Sequence, residues 1–327
     1  MDTMRQCAMK FKDISAELTE QCGGKGAHLG ELARTGFNVP NGFVVVSDAF
    51  SYLLKYNNIE SVIDEIAESI NFDDYNDVDM KTKKIRELIE SAELPPEFEQ
   101  IAVFYSELAE EGETDPYVAV RSSVGARGTN ISSFPGMMDT FHYIRGAEEV
   151  IAKVKLCWAS VWTTRGAMLR NQKGIAHKSA IIAPIIQLMV DPDVAGVAFT
   201  ANPINMSRDE IVIESCWGLG ESVVSGKAMT DFFCLDKSTL KVKNKRISNK
   251  SVMMGIDKDL KGGRKEYQVD PKKSQQPSLT EDQLVELGKV AKAIEDHYGG
   301  SPRDIEWAFV NNTLYILQAR QVKGLKE

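Results

Sequence analysis

Between Tyr117 and Phe141 a short β-prone run passes directly into about twenty residues that are mostly small, and few folds can absorb such a stretch. Tyr117-Val-Ala-Val120 reads as a buried strand. The residues after it are rich in Gly, Ser, Thr and Asn, include Arg121 and Arg127, and hold almost no acid. Small residues let main-chain N–H groups approach a ligand closely, and arginines add forked positive charge. That combination suits a polyphosphate held by backbone amides and guanidinium groups. A long surface loop is the plain alternative. Pro135, Met137, Met138 and Phe141 are too apolar for disorder, however, and loops of this length inside compact domains tend to be functional. The stretch reads as a phosphate lid.

A second anion-binding element lies near the start. Gly23-Gly-Lys-Gly-Ala-His-Leu-Gly-Glu-Leu-Ala-Arg-Thr-Gly36 reads as a glycine turn feeding a short helix with Leu29, Leu32 and Ala33 inward and Gly36 as its stop. Lys25 falls at the helix beginning, where free N–H groups and partial positive charge favour an anion. The spacing is not that of a Walker A loop, and taken alone GGKG reads as a solvated lysine after a turn. Downstream, Ser47 to Tyr56 reads as a helix. Ile59 to about Gly112 reads as charged amphipathic scaffold, interrupted by the acidic patch Phe72–Asp79 and by Leu94-Pro-Pro96. Ala147 to Asn171 has helical periodicity, with Trp158 and Trp162 on one face as core.

Ala180 to Val190 reads as one apolar strand with a single polar intruder, Gln187, which must find hydrogen-bond partners. Either neighbouring backbone or the edge of an adenine satisfies it, and the backbone of Leu188, Met189 and Val190 would then supply further adenine contacts. Asp191-Pro-Asp193 is a hinge. Beyond it the chain is strand-rich over Val194–Thr200, Glu210–Glu214, Asp231–Leu235 and Leu240–Ile247, with a second glycine loop at Trp217–Gly226. Lys258 to Ser278 is polar and expected to lack fixed structure. Thr280-Glu-Asp-Gln283 opens a helix as a capping box. Last comes a hairpin, Asp304–Phe309 and Thr313–Arg320, turning at Asn311-Asn312. One face can carry Glu306, Gln318 and Arg320, with Ile305, Trp307 and Leu317 opposite. Three polar side chains there are a solvent face or a site. A carboxylate and an amide oxygen suit Mg²⁺, and an adjacent arginine suits the phosphates that the metal bridges.

Composition sets the remaining bounds. The 327 residues allow two domains. A net charge of −8 argues against a general nucleic-acid or anionic-membrane surface. The five cysteines are scattered without a CxxC, so no zinc site is legible and reduced thiols are expected. Met1 to Lys12 has no apolar core long enough to target or anchor the chain. A soluble cytoplasmic protein is expected.

Val118-Ala-Val-Arg-Ser-Ser123 and Ser133-Phe-Pro-Gly-Met-Met-Asp-Thr140 resemble the ATP/AMP-binding domain of the phosphoenolpyruvate synthase and pyruvate phosphate dikinase family. Arg-Ser-Ser is closer to the synthases and Pro-Gly-Met-Met-Asp-Thr to the dikinases. The glycine turn around Lys25, Val194–Pro203, Trp217–Gly226 and Asp304–Arg320 continue the resemblance in order, from about residue 11 to residue 322. The resemblance implies an α+β ATP-grasp fold of two subdomains, residues 1–190 and 191–327, with ATP in the cleft between them. It implies that Lys25, Arg121 and Arg320 hold phosphates, with Gly136 and Thr140 in the lid loop, that Gln187 and the Met189 backbone read adenine, and that Glu306 and Gln318 bind Mg²⁺. It further implies phosphoryl transfer from ATP to a histidine on a swivelling domain, leaving AMP, in a dikinase-type phosphotransferase with paired acceptors. His28, His142, His177 and His297 do not lie in the Gly-rich setting of that histidine, and no acceptor-binding barrel fits in the length. The chain is therefore expected to own the nucleotide half-reaction and to need a phosphohistidine and an acceptor partner, in the same longer protein or in separate subunits. Phenylphosphate synthase and rifampicin phosphotransferase show the same nucleotide domain with other acceptors. The alternative is a non-catalytic module that senses ATP.

Overall fold

Period-two alternation organises the sheet of the first unit, which comprises Met1–Arg34 and Asn41–Met189. The computed structural model describes residues 4, 6–109, 114–126, 140–220, 229–257 and 263–322. Strands β1 (Ala8–Lys10), β2 (Gly42–Val45), β3 (Val118–Arg121), β5 (Thr140–Ile144) and β7 (Ile185–Leu188) form an antiparallel sheet in the order β1-β2-β7-β3-β5. Strands β4 (Val124–Ala126) and β6 (Ala180–Ile182) make a separate pair. Phe43, Val45, Val118, Val120 and Ile186 face one way and join the main core. Helices α2 (Ser47–Tyr56), α3 (Glu60–Glu68), α4 (Tyr75–Ser91), α5 (Glu99–Ser106), α6 (Ala147–Ala159) and α7 (Thr164–Gln172) line that core with residues such as Leu53, Ile63, Ile85, Ile101, Trp158 and Ala167. Helix α1 (Thr19–Arg34) lies on the other face, where Gly26 comes against Val44.

Two expectations change here, and a third is sharpened. The acidic patch Phe72–Asp79 does interrupt the helices, since residues 72–74 lie between α3 and α4, and the rest of it starts α4. Asp74 accepts the Asn76 and Asp77 N–H groups as the N-cap of α4, where negative charge is favoured. The strand expected over Ala180–Val190 is two strands, because Pro184 has no N–H for a ladder. Ala183 donates instead to the Ser123 carbonyl at 2.9 Å, and Pro184 accepts from Val45 at 2.8 Å. The periodic run Ala147–Asn171 breaks at Thr163, whose hydroxyl caps α7. Trp158 and Trp162 are nevertheless both buried in the core.

Next to Trp162 sits a histidine that the fold keeps neutral. His177 stacks on Trp162 at 4.9 Å and on Phe72 at 5.8 Å, and its Nδ1 accepts from Arg170 Nε at 3.1 Å. Burial, then the Arg170 charge, lower its pKa from 6.5 to about 4. The unfolded chain therefore binds the extra proton first. Stability from this group is complete above pH 6.5 and is lost as pH falls toward 4. Urea titrations at pH 7 and pH 5 should show the wild type losing more stability than His177→Gln, by on the order of 1 kcal/mol.

The second unit is Val190–Glu327 together with Thr35–Pro40. That short return is held by Asn38, whose carbonyl accepts from Ile316 N–H at 2.8 Å and whose amide donates to Leu314 O at 2.7 Å. Strands β8 (Val194–Phe199), β9 (Glu210–Trp217), β10 (Asp231–Asp236), β11 (Val242–Arg246), β14 (Arg303–Val310) and β15 (Thr313–Gln321) form an antiparallel sheet, ordered β11-β10-β9-β8-β14-β15. Helix α8 (Glu281–His297) opens on the complete Thr280/Gln283 capping box and buries Leu284, Leu287, Ala291 and Ile294. Residues 263–278 of the polar run Lys258–Ser278 are more ordered than the composition of that run suggests. Within it β13 (Arg264–Gln268) pairs with β12 (Val252–Ile256), and Pro271–Ser274 forms one helical turn. Among the described residues no helix is long and apolar enough to cross a membrane.

Candidate nucleotide and metal site

The polar residues of the first unit gather because alternation leaves them opposite the core. Val118 and Val120 face the helices, so Ala119 and Arg121 of β3 face the side that α1 covers. Gln187 pairs with Ala119 across the ladder, and Thr140 pairs with Arg121. Arg121 Nη1 reaches to 3.4 Å from Gln187 Oε1, and Gln187 is buried. Arg121 and Thr140 are half-buried. Leu188 and Met189 donate their N–H groups to Asn41 O (2.8 Å) and Tyr117 O (2.9 Å), so those two donors are engaged within the unit. Gly136 and Arg127 lie outside the described residues.

Lys25 stands on α1 just past a kink at Gly23, whose φ is 65° and ψ 166°. The turn is pinned to the segment after β3: Gly26 N–H faces Ser123 Oγ at 3.4 Å, and a Cβ added at Gly23 would lie 2.2 Å from that oxygen. Two glycine-rich elements distant in sequence thus meet at one serine. Nothing local in the sequence signals this contact. Gly23→Ala combines a left-handed φ with that clash, so it should destabilise the chain by about 1–3 kcal/mol in urea unfolding and weaken ATP binding.

In the second unit the site depends on a bulge. The Asn311-Asn312 turn has φ of 48° and 64° at its two residues, the double left-handed geometry of a tight hairpin. From that turn, Val310↔Thr313, Phe309↔Leu314 and Trp307↔Ile316 are paired. A strict ladder would continue with Glu306 opposite Leu317 and would turn Gln318 toward Ile305. Instead the register shifts between Glu306 and Trp307, leaving Leu317 as the extra residue, so Glu306 pairs with Gln318 and Asp304 with Arg320. Gln318 Nε2 donates to Glu306 Oε1 at 3.0 Å, and Arg320 Nε donates to Asp304 Oδ2 at 2.7 Å. The opposite face is Ile305, Trp307, Phe309, Leu314, Ile316 and Ala319, all buried. Leu317, expected on that face, is only half-buried because the bulge displaces it.

Asp304 belongs to this polar face as well, although nothing in its local sequence singles it out. It is buried, and burial raises its pKa, with Arg320 opposing the rise and the Glu306 charge adding to it. Arg320 extends into solvent from this anchor, with 58% of its side chain exposed. The donor chemistry fits a hard divalent cation, since Glu306 supplies a carboxylate and Gln318 an amide oxygen. At the other end of this sheet, where Trp217 pairs with Val194 and Val194 with Phe309, Gly218 (φ 70°) opens the second glycine loop. Gly218 N–H donates to Asp193 O at 3.1 Å and Leu219 N–H to Met254 O at 2.9 Å, and a Cβ on Gly218 would sit 2.3 Å from that Met254 oxygen.

Residues 19–327 match the family described as the pyruvate phosphate dikinase AMP/ATP-binding domain. The chain belongs to that family. Its relatives include a probable phosphoenolpyruvate synthase of Methanocaldococcus jannaschii, 39% identical across 98% of this chain and 27% of the relative. Another, from Pyrococcus horikoshii, is 36% identical across 100% of this chain and 45% of the relative. The rifampicin phosphotransferase of Bacillus subtilis is 34% identical across 98% and 36%. The chain thus spans less than half the length of these relatives. The α+β ATP-grasp class implied by the motifs agrees with the family and with the two antiparallel sheets flanked by helices.

Proposed function

We propose that the chain binds Mg·ATP and transfers one phosphoryl group to a histidine on another domain or subunit, while one water takes the other, so that AMP and phosphate are released. The observation that carries this reading is the bulged hairpin. It places Glu306 against Gln318 and Arg320 against Asp304 on one face, which the ladder would otherwise split. Glu306 and Gln318 would hold the metal, and the metal would neutralise charge on bridging phosphate oxygens. Arg320 would hold phosphate, kept extended by Asp304. Lys25, Arg121 and Thr140 would hold further phosphate oxygens, together with the lid around Gly136. Gln187 would read the adenine edge, with Met189 beside it. With the N–H groups of Leu188 and Met189 engaged, carbonyl oxygens are what those two residues offer the base. Phosphoryl transfer demands mainly positioning and charge neutralisation, which these groups supply, while the nucleophile is the histidine of the other domain or subunit. Pyruvate or another small molecule would then take the phosphoryl group from the histidine, in a cytoplasmic phosphotransferase larger than this chain.

The test is to incubate the chain with Mg·ATP and the histidine-bearing polypeptide of the same source and to assay phosphate on the latter. Acid-labile, base-stable phosphate that requires both Mg²⁺ and this chain is the expected result. Binding of ATP without any such phosphate would overturn the reading in favour of an ATP sensor.

A further inference from the structure

The connection from β8 to β9 displays apolar side chains on a backbone that is rigid and strained. Ile204 is 78% exposed and Met206 55% exposed, and Pro203 beside them is exposed too. Met206 has φ 63°, a left-handed conformation that costs an unbranched apolar residue energy and returns it nothing through packing. The backbone is held in this shape by side chains that are themselves anchored. Asn202, buried, accepts from Ile204 N–H at 2.9 Å and donates to Glu210 Oε2 at 2.7 Å. Asn205 donates to the same Glu210 oxygen at 3.1 Å and accepts from Ser207 N–H at 2.9 Å. Met206 N–H bonds to Asn202 O, and Asn202 N–H to Ser207 O. Glu210 is fixed in turn by Lys243, and these donors, Lys243 first, lower its pKa to about 2. A solvated loop needs none of this. Single exposed apolar residues are ordinary, but two held out beside a proline on strained, clamped backbone are a prepared contact surface.

Its position names the occupant. Phe199 pairs with Asp304, so the loop leaves the sheet at the end where Asp304 and Arg320 stand. Thr200 binds it there, donating its N–H to Arg303 O at 2.9 Å and accepting from Arg303 N–H at 2.8 Å. A phosphoryl acceptor must come within about 3 Å of the group it takes. Whatever carries it must therefore approach this end of the hairpin. We infer that Pro203, Ile204 and Met206 are the docking surface for the body that bears the phosphoryl-accepting histidine, a surface that meets it with an apolar patch. The inference rests on the reaction proposed above, and binding tests it separately.

Two variants serve, I204S/M206S and M206G. Each is compared with wild type for urea unfolding, for Mg·ATP affinity, and for AMP release and calorimetric binding against rising concentrations of the histidine-bearing polypeptide of the same source. Both should leave Mg·ATP affinity unchanged. The double variant should weaken binding and raise the half-saturating partner concentration by about tenfold or more, with the saturated rate retained. M206G should raise the unfolding midpoint, because glycine relieves the left-handed strain, while weakening docking severalfold; a purely structural residue would not separate the two. Unchanged partner dependence in both variants would overturn the docking surface and leave the reaction standing. Binding that the variants abolish, with no AMP from wild type, would keep the surface and overturn the reaction. Neither binding nor AMP from wild type would overturn both.

Discussion

Glu306→Ala should abolish Mg·ATP turnover and leave the fold intact. Removing one preorganised group at the charge-bearing centre of a transfer reaction lowers rate by at least about 100-fold. Here the loss should be larger, because the carboxylate is both the charged ligand proposed for the metal and the acceptor that holds Gln318. The hairpin should survive the change. Its apolar face, Ile305, Trp307, Phe309, Leu314, Ile316 and Ala319, is untouched, and Asp304 still pairs with Arg320. Turnover should be followed alongside urea unfolding. An unchanged midpoint with turnover lost is the expected pair of results. Normal turnover by the variant would sink the metal assignment.

Asp231→Ala should be the most damaging single change to stability in the second unit. Asp231 and Lys250 form an ion pair at 2.7 Å with neither side chain exposed. Each is otherwise fully occupied. Lys250 donates also to Ser248 O and Gln276 O at 2.9 Å, and Asp231 accepts from Ser248 N–H, Ser278 N–H and Ser278 Oγ. Burying a pair is expensive and its net value modest, but removing one partner strands the other charge away from water. The cost should be about 3–5 kcal/mol in urea unfolding, a large part of the roughly 5–15 kcal/mol that holds a domain. The double change Asp231→Asn with Lys250→Met should recover much of it, since no lone charge then remains. A single change costing under 1 kcal/mol would mean that water reaches the pair.

Local chemistry is legible in the sequence wherever one segment carries its own instructions. The Thr280/Gln283 capping box, the Asn311-Asn312 turn and the helix Ser47–Tyr56 stand where the residues put them. The illegible features depend on partners distant in the chain. Ser123 closes on the Gly23 turn across about a hundred residues, and no local pattern encodes that meeting. The bulge at Leu317 is the more instructive case. Alternation suggests Glu306, Gln318 and Arg320 on one face, yet counting pairs back from the turn separates Glu306 from Gln318, and only an extra residue restores them. Asp304 does not stand out because a carboxylate next to a strand start reads as solvated until its burial is seen. The half-buried strand Val252–Ile256 hides its partner, since Arg264–Gln268 is polar on both faces.

The most direct measurement is on the unmodified chain with Mg·ATP, alone and with the histidine-bearing polypeptide of the same source, resolving the nucleotides by chromatography. AMP that appears only with the partner is the predicted result. Tight ATP binding with no AMP under either condition would contradict it in favour of a sensor, and ADP as product would show the reaction class to be wrong.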